Sequence, residues 1–181
     1  MDIETFVNTT SRAWAIPILA QLHAGVAGRQ APLLAATGAS RTAFAQSMDH
    51  LISIGLLERN PGYGHPLRPE FRLTEFGVSA AAVAHKIHSV TDEEDRDLLR
   101  RSWTLPILTT LNEPSHFNDI KRNLRTITDR ALSQSLKVME GRQWVQRDVD
   151  DAARPPRSIY HAVNTGGLIS SVAATEIVIV R

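Results

Sequence analysis

The feature that most constrains the fold of this chain is an internal repeat. Residues 12–22 return 89 positions later as residues 101–111, with six of eleven positions identical, among them a Trp and a Pro three residues apart. Two more blocks match in the same order, residues 43–59 with 131–147 and residues 71–77 with 160–166. Matched blocks in one order predict a duplicated unit of roughly 80 to 90 residues.

The length and composition agree with two small domains. The chain has 181 residues, of which 43% are hydrophobic, so each half can bury a modest core. We predict a first domain at residues 1–90, which includes a connecting helix, and a second domain at residues 91–181.

The composition also indicates where the protein works. No apolar run approaches the roughly 18 residues that span a bilayer, and the first residues lack the basic and apolar stretches of a signal peptide. The sequence contains no Cys, which excludes disulfides and thiolate zinc sites. We expect a soluble, cytoplasmic protein that needs no cofactor and has no membrane partner.

The net charge of +1 does not by itself indicate a nucleic-acid partner, but the charges are unevenly distributed. Residues 1–90 hold seven Lys/Arg and six Asp/Glu, whereas the second half holds thirteen of each. The basic residues of the second half gather at 121–137 and 154–157, and the acidic residues at 92–97 and 148–151. This separation fits either a basic face for DNA or ordinary solvated helix faces.

Each unit is predicted to begin with two helices. Apolar residues at a 3.6-residue period predict the first helix at residues 14–22 and 103–111. A shorter second helix is predicted at residues 30–36 and 115–124, with Ser115 as its N-cap in the second unit.

A third helix is predicted to follow a tight turn in each unit. Ser40 and Thr128 are well placed as its N-caps, because their hydroxyl groups can accept a backbone N–H of the first turn. Apolar residues then recur at i, i+4 and i+7, which predicts one buried face: Phe44, Met48 and Leu51 in the first unit, Leu132, Leu136 and Met139 in the second.

The pattern then changes to short strands. Residues 56–59 and 70–74, and again 144–147 and 158–163, predict a hairpin in each unit. Helix, helix, turn, helix and hairpin is a winged helix-turn-helix. The predicted fold is therefore mainly α with small β-hairpin wings, an α+β architecture of two tandem winged helix-turn-helix domains.

The connection between the units is predicted to be helical. Residues 78–89 are rich in Ala, and Val83, Ile87 and Val90 fall on one side. Residues 91–94, Thr-Asp-Glu-Glu, match a capping box that would start another helix towards Arg101.

These residues resemble the HxlR type of winged-helix transcriptional regulator, a relative of the MarR group. In the second unit the resemblance rests on the Trp that opens the first helix, on residues 117–124 and 131–136, and on the wing end at 156–160. The first unit keeps residues 55–59 and 73–77. The resemblance implies DNA binding and control of transcription.

The sequence departs from that family in several places. In the second unit, Gln143 stands where the family usually has Gly, and residues 163–166 differ from the usual Leu-Thr-x-x-Gly exit. The second helix of the first unit, residues 30–36, has no basic residue. Members usually carry one unit and dimerise on DNA, so two fused units resemble a built-in pseudo-dimer.

The third helix supplies the candidate base-reading residues, since this helix enters the major groove with its N-terminal residues at base edges. Arg suits guanine and Gln suits adenine, each through two hydrogen bonds. The candidates are Ser40, Arg41, Thr42 and Gln46 in the first unit, and Thr128, Arg130, Ser133, Gln134 and Lys137 in the second. The alternative is that they are solvent-facing polar residues of an amphipathic helix.

Further candidates lie outside the third helix. Lys121, Arg122 and Arg125 lie on or after the second helix, where cations suit phosphate contact. Arg154 and Arg157 flank the tip of the second wing and could reach a groove or the DNA backbone. Three nearby carboxylates argue against this and could instead pair with the wing arginines: Asp148, Asp150 and Asp151.

Other notable residues fit structural roles better than chemical ones. Trp14 and Trp103 could line a pocket for an unknown small-molecule effector, but a Trp at a repeated helix position favours core. His85 and His88 have helical spacing for a metal, yet no third ligand is evident. The acidic residues at 92–97 suit a helix N-terminus. No phosphate loop, nucleophile elbow or dinucleotide fingerprint is present, so an enzyme is not predicted.

Two functions remain open from the sequence. One is a sequence-specific DNA-binding regulator, nucleoid-associated, in which the two units mimic a dimer on double-stranded DNA. The other is a winged-helix module for protein interaction or oligomerisation that has lost DNA binding. Because the second unit carries more cations, it is expected to be the main DNA reader, and one reader per chain favours a homodimer. Residues 78–90 or 167–181 could form the dimer surface. The alternative is that both segments pack within the chain.

Overall fold

The structure of the protein, a computed structural model, describes residues 1–60, 69–150 and 154–179. Backbone contacts divide the chain into two compact units. The N-terminal unit is Thr9–Arg100, and the C-terminal unit joins Met1–Asn8 to Arg101–Arg181. The division thus falls at residue 100 where the sequence suggested residue 90, and the first eight residues pack with the C-terminal part of the chain.

Helix α1 (Ile3–Thr10) is the first element and begins in the C-terminal unit. The elements of the N-terminal unit follow in the order α2 (Ala15–His23), α3 (Gln30–Thr37), α4 (Arg41–Ser53), β1 (Leu57–Arg59), β2 (Phe71–Leu73) and α5 (Glu75–Ser89). Strands β1 and β2 pair antiparallel, with Glu58 opposite Arg72. Two short 3-10 turns, Glu93–Asp95 and Leu98–Arg100, complete this unit.

The C-terminal unit has the same order of elements, with one more strand between its first two helices. Its elements are α6 (Thr104–Thr110), β3 (Ser115–His116), α7 (Phe117–Leu124), α8 (Asp129–Gly141), β4 (Val145–Asp150), β5 (Arg157–Ala162) and α9 (Asn164–Glu176). The strand order is β3-β5-β4, and both pairs are antiparallel. Strand β3 therefore brings the start of α7 beside the middle of β5.

The third helix of each unit begins where the sequence predicts. The Ser40 hydroxyl accepts the Ala43 N–H at 3.3 Å, and the Thr128 hydroxyl accepts the Ala131 N–H at 3.2 Å. Each hydroxyl satisfies a backbone donor that has no partner within the helix, which stabilises the helix by about 1 kcal/mol. The predicted N-caps are confirmed in both units.

The core of the N-terminal unit lies between α2 and α5. Ile18 and Leu19 of α2 are fully buried, and Ala84 and Ile87 lie on the buried face of α5. Small Ala side chains on α5 let the two helix axes approach closely. Thr74 caps helix α5, because its hydroxyl accepts the Gly77 N–H at 2.9 Å.

The core of the C-terminal unit forms around α6 and α9. Leu105, Ile107 and Leu108 of α6 are fully buried, and Ile169 of α9 is buried as well. Trp144, directly before β4, is 1% exposed and is the largest fully buried side chain. The apolar C-terminal segment thus packs within its own unit, although Leu168 and Val178 remain exposed.

A glycine in the first turn of the last helix of each unit permits a close backbone crossing. A Cβ on Gly77 would lie 1.9 Å from the carbonyl oxygen of Leu56, and a Cβ on Gly166 would lie 2.1 Å from that of Trp144. Both distances are far below van der Waals contact. Each hairpin therefore closes onto the following helix, α5 or α9, only because no side chain is present at the crossing.

Two sequence predictions about helix starts are wrong. Ser115 does not cap α7. It lies in β3 and pairs with Tyr160, because its backbone joins the antiparallel sheet. Thr91 does not open a helix either, since its hydroxyl donates back to the Ile87 carbonyl at 2.8 Å. The predicted capping box is replaced by the 3-10 turn Glu93–Asp95.

The repeated tryptophans are also placed differently from the prediction. Trp14 and Trp103 occupy the N-cap positions of α2 and α6 and are half-buried, so neither is a core residue. Trp14 lies under Arg100, with the guanidinium carbon 4.8 Å from the ring centroid, a cation–π contact.

The first residues are fastened to the end of the C-terminal unit. The Met1 ammonium donates to the Glu176 carbonyl at 3.1 Å, and Asp2 forms a parallel bridge with Val178. The Asp2 carboxylate accepts the Thr5 N–H at 2.8 Å, and this hydrogen bond holds the pKa of Asp2 below its usual value. Helix α1 is therefore capped and docked as part of this unit.

Some predicted features lie outside the described residues. They are the tip of the first wing within residues 61–68, the tip of the second wing at 151–153, and the last two residues. Within the described ranges, no helix has both the length and the apolar character required to cross a bilayer.

Candidate nucleic-acid interface

Helix α8 presents an apolar face to the core and a polar face to solvent. Leu132, Leu136 and Met139 are buried. The exposed side chains are Asp129, Arg130, Ser133, Gln134 and Lys137. Arg130 and Gln134 are four residues apart and therefore lie along one strip of the helix surface, where both can face the same groove. A guanidinium and an amide are the groups that read guanine and adenine edges through paired hydrogen bonds.

Helix α4 has the same division in the N-terminal unit. Its buried residues are Phe44, Ser47, Met48 and Leu51. The predicted residues Arg41, Thr42 and Gln46 are exposed together. Asp49 is exposed as well, and its carboxylate lowers the positive potential of this helix where α8 carries Lys137.

The predicted capping residues also stabilise the start of the third helix. Ser40 and Thr128 are exposed, but each hydroxyl already accepts a backbone N–H of its helix. Each hydroxyl can still donate its own proton, because it is donor and acceptor at once. Both residues lie at the helix end that, in a helix-turn-helix, points to the base edges.

The cations of α7 are paired with carboxylates: Lys121 is half-buried and Arg122 is exposed. Lys121 Nζ lies 2.6 Å from Asp129 Oδ1, and Arg122 Nη1 lies 2.9 Å from Asp119 Oδ1. The Arg122 side chain is 76% exposed, so its pair is screened by water and weak. The sequence predicted these cations as phosphate contacts, and the structure adds that each has a carboxylate neighbour.

Arg125 is held by a residue from the other end of the chain. Its Nη1 lies 3.1 Å from Glu4 Oε1 on α1. Arg125 closes α7 with a positive φ of 49°, in the turn that leads to the N-cap Thr128. Glu4 therefore neutralises a cation in the turn itself.

The wing arginines lie at the edge of the described residues. Arg154 and Arg157 are exposed and follow the undescribed tip at 151–153. Arg157 opens β5, opposite Asp150 on β4. The predicted pairing of Asp151 lies outside the described residues.

The carboxylates of the second wing pair with histidines, so the predicted pairing of Asp148 with arginine is wrong. Asp148 contacts His161 on the adjacent strand β5 and accepts the Gln146 amide at 3.2 Å. Hydrogen bonds from Gln146, and then from His161, hold the pKa of Asp148 below its usual value. The carboxylate therefore stays ionised at neutral pH.

A second histidine sits on the same face of this sheet. His116 Nε2 lies 3.3 Å from Asp150 Oδ2, and His116 Nδ1 lies 3.0 Å from the Ser158 carbonyl oxygen. His116 comes from β3, opposite Ile159 of β5. The face of the wing thus carries two carboxylates, each beside an imidazole.

Sequence reasoning missed Glu4, His116 and His161. Each is distant in the sequence from its partner, and the pairs form only after α1 docks or the strands align. The one local signal was the two-residue spacing of Asp148 and Asp150, which places both on one face of a strand.

The histidines of α5 do not assemble a metal site. The rings of His85 and His23 lie 5.0 Å apart, centroid to centroid. Burial, followed by the charges of Arg96 and His85, lowers the pKa of His88 and favours its neutral form. Among the residues described by the structure, no group of three metal-binding side chains occurs.

The C-terminal unit has the architecture of a winged helix-turn-helix, a DNA-binding class of protein. Its second and third helices, α7 and α8, are joined by a tight turn, and α8 is followed by the β4–β5 wing. The exposed Arg and Gln side chains lie on the helix that this class inserts into the major groove.

A comparison with protein-family models agrees with this class. Residues 98–175 match the family described as HxlR-like helix-turn-helix. The matched region covers the elements from α6 to α9 except the last residue of α9, and it supports an HxlR-type transcriptional regulator. Searches of curated proteins and of solved structures found no match.

Proposed function

We propose that this protein is a sequence-specific DNA-binding transcriptional regulator whose two units act as a pseudo-dimer within one chain. The observation that carries the proposal is the exposed strip of α8, where Arg130 and Gln134 stand on the third helix of the HxlR-like region. A cytoplasmic, nucleoid-associated location belongs to the proposal.

Shared structural devices support a duplicated unit. Ser40 and Thr128 cap the third helix, and Gly77 and Gly166 permit the same crossing over the preceding strand. Positive φ angles also recur at matched turns, at Gly38 and Arg125 after the second helix and at Gly55 and Gln143 after the third. Because a left-handed residue costs energy unless it is Gly, its recurrence at matched positions favours common descent over chance.

The membership of the two units supports the pseudo-dimer. Residues 1–8, which precede the first repeat, pack in the C-terminal unit. Residues 91–100, which precede the second repeat, pack in the N-terminal unit. The segment before each repeat thus belongs to the unit of the other repeat. This exchange is expected when two subunits of a domain-swapped dimer are joined into one chain.

Selection of bound fragments from a random pool of duplex DNA tests the function. A regulator of this kind should enrich one motif, and paired third helices should produce two half-sites about 34 Å apart along the duplex. Enrichment of no motif, with no binding to mixed-sequence DNA at low salt, would end the proposal.

Light scattering tests the assembly. In place of the homodimer expected from the sequence, the pseudo-dimer predicts a single chain of 20.0 kDa when free, and one chain plus one duplex when bound to the operator. A particle of twice that mass with a palindromic operator would replace the pseudo-dimer with a homodimer that reads DNA through one unit of each chain.

A second function, a protein-interaction module, is favoured by one observation. The carboxylates Asp119, Asp129 and Glu4 neutralise the cations of the helix-turn-helix, and Asp148 and Asp150 lie on the wing. If DNA binding has been lost, restoring positive charge with Asp119→Asn should still give no selective binding. If DNA binding is present, this variant should bind all sequences more tightly.

The salt dependence of binding gives a further prediction for α7. Lys121→Ala and Arg122→Ala should each lower the slope of log K against log salt by about one unit, because each lost phosphate contact releases fewer counterions. The loss should be the same on all sequences, since phosphate contacts carry no base information.

The matched control is Arg101→Ala, which removes an exposed cation from the segment before α6. Its slope should equal that of the unchanged protein. If all three variants keep the slope, α7 does not contact DNA.

A further inference from the structure

The N-terminal unit contains an open groove of about 660 Å³ beside its helix-turn-helix. Helix α3 supplies one wall, and the residue after the undescribed wing tip supplies another. The lining residues are Arg29, Gln30, Ala31, Pro32, Leu34, Arg41 and Pro69. Two prolines give the walls a fixed backbone.

The charged residues in the described part of the groove lining are all basic. Arg29 and Arg41 are the only ionisable residues of its described lining, and both are exposed. Arg41 makes no ion pair with another described residue. The nearest carboxylate contact is Glu70, whose Oε1 lies 3.6 Å from Arg29 Nε. A guanidinium has five donors in a fork, so this contact leaves the others for a ligand.

The position of Arg29 is fixed by the backbone beneath it. The Phe71 N–H donates to the Gly28 carbonyl at 2.6 Å, and Arg29 forms an antiparallel bridge with Glu70. A Cβ on Gly28 would lie 1.8 Å from the Phe71 carbonyl oxygen, so only Gly fits this approach. Glu70 in turn accepts the Asn60 amide at 3.1 Å. The backbone at Arg29 is therefore fixed by its pairing with Glu70, and its exposed side chain extends from that fixed point.

We propose that this groove binds a phosphodiester oxyanion of the DNA backbone between Arg29 and Arg41. The inference rests on the proposed DNA-binding function and assigns the N-terminal unit its own phosphate contact, although α3 has no basic residue. Paired guanidinium forks suit a phosphate oxyanion, through charge-assisted hydrogen bonds in a planar geometry. The start of the third helix and the approach to the second are also where a helix-turn-helix meets the backbone.

The assignment changes the role of Arg41. On the sequence it is a candidate reader of guanine, but as a wall of the groove it contacts phosphate beside Arg29. Gln46, one turn further along α4, then remains the candidate base reader of this unit. The two roles have different signatures, because a phosphate contact weakens binding to all sequences and a base contact alters the preferred sequence.

The experiment measures DNA affinity and its salt dependence for Arg29→Gln, Arg41→Gln and the matched control Arg12→Gln, an exposed arginine before α2. Each variant is titrated with the selected operator and with a duplex of shuffled sequence. Thermal unfolding of every variant verifies the fold. The unfolding temperature of each variant is also compared in inorganic phosphate and in chloride at the same ionic strength. A higher temperature in phosphate shows that the folded protein binds a free anion.

We expect Arg29→Gln and Arg41→Gln each to weaken both duplexes by roughly five- to tenfold, and to lower the salt slope by about one unit. Arg12→Gln should change neither quantity. The proposal would be overturned if Arg41→Gln left the affinity for the shuffled duplex unchanged and altered only the preferred operator sequence. In that case Arg41 would contact a base.

Two other results would also overturn it. If both variants match Arg12→Gln on DNA but lose stabilisation by inorganic phosphate, the groove belongs to a free anion. If Arg29→Gln and Arg41→Gln match Arg12→Gln in DNA affinity and in stabilisation by phosphate, the groove binds no oxyanion. These failures differ from failure of the proposed function, in which the unchanged protein binds neither duplex.

Discussion

Replacing Gly166 by alanine is expected to lower the free energy of unfolding by about 3 kcal/mol. The added Cβ would lie 2.1 Å from the Trp144 carbonyl oxygen, so either strand β4 or helix α9 must move. Movement there displaces Trp144, which is 1% exposed and anchors the core of the C-terminal unit. Urea denaturation followed by Trp fluorescence measures the loss.

The same change at Gly77 should have a similar effect, because its Cβ would lie 1.9 Å from the Leu56 carbonyl oxygen. Gly141 provides the control, since it ends α8 and nothing lies within 4 Å of its added Cβ. Gly141→Ala should be neutral or stabilise by up to about 1 kcal/mol. Equal stability of Gly166→Ala and Gly141→Ala would show that the crossing relaxes freely and does not constrain the fold.

The second large effect is expected in base reading. Arg130→Ala and Gln134→Ala should each weaken binding to the selected operator by roughly 1–3 kcal/mol, which is about 5- to 150-fold, and should relax the preference at one base pair. The reason is that each side chain can make two hydrogen bonds to a base edge, and both are lost together. Fluorescence anisotropy with operators altered one base pair at a time measures affinity and preference.

The control for this prediction is Arg101→Ala, which removes the same side chain from the segment before α6. It should leave the preferred sequence unchanged. If Arg130→Ala weakens the operator and a shuffled duplex equally, Arg130 contacts phosphate and the base-reading role is wrong. If only Gln134→Ala alters the preferred sequence, α8 reads the DNA bases through the Gln134 amide and not through Arg130.

The local elements of this chain could be predicted because their causes are local. Ser40 and Thr128 cap their helices through hydrogen bonds that span three residues. The buried faces of α4 and α8 follow from apolar residues at helical spacing, and the hairpins follow from the change of period. The exposed residues of the candidate interface could be placed for the same reason, since they occupy the opposite face.

Failures of local prediction occur where two local options compete. Thr91 could cap a new helix or bond back to α5, and it bonds to the Ile87 carbonyl. Ser115 could cap α7 or extend the sheet, and it pairs with Tyr160. Thr91 takes the local partner, four residues back at the end of α5, whereas Ser115 takes a partner 45 residues away that only the sheet supplies.

The sequence by itself determined the repeated blocks, the three helices and the hairpin that both repeats share, and which faces of α4 and α8 meet solvent. Only the tertiary structure decided the electrostatics of the site. Glu4 reaches Arg125 because Asp2, just before α1, bridges to Val178 in the C-terminal unit, and His116 reaches Asp150 because β3 joins the wing sheet. Charges interact through space over a few ångströms, whereas sequence patterns record neighbours along the chain, so contacts between distant segments appear only after folding.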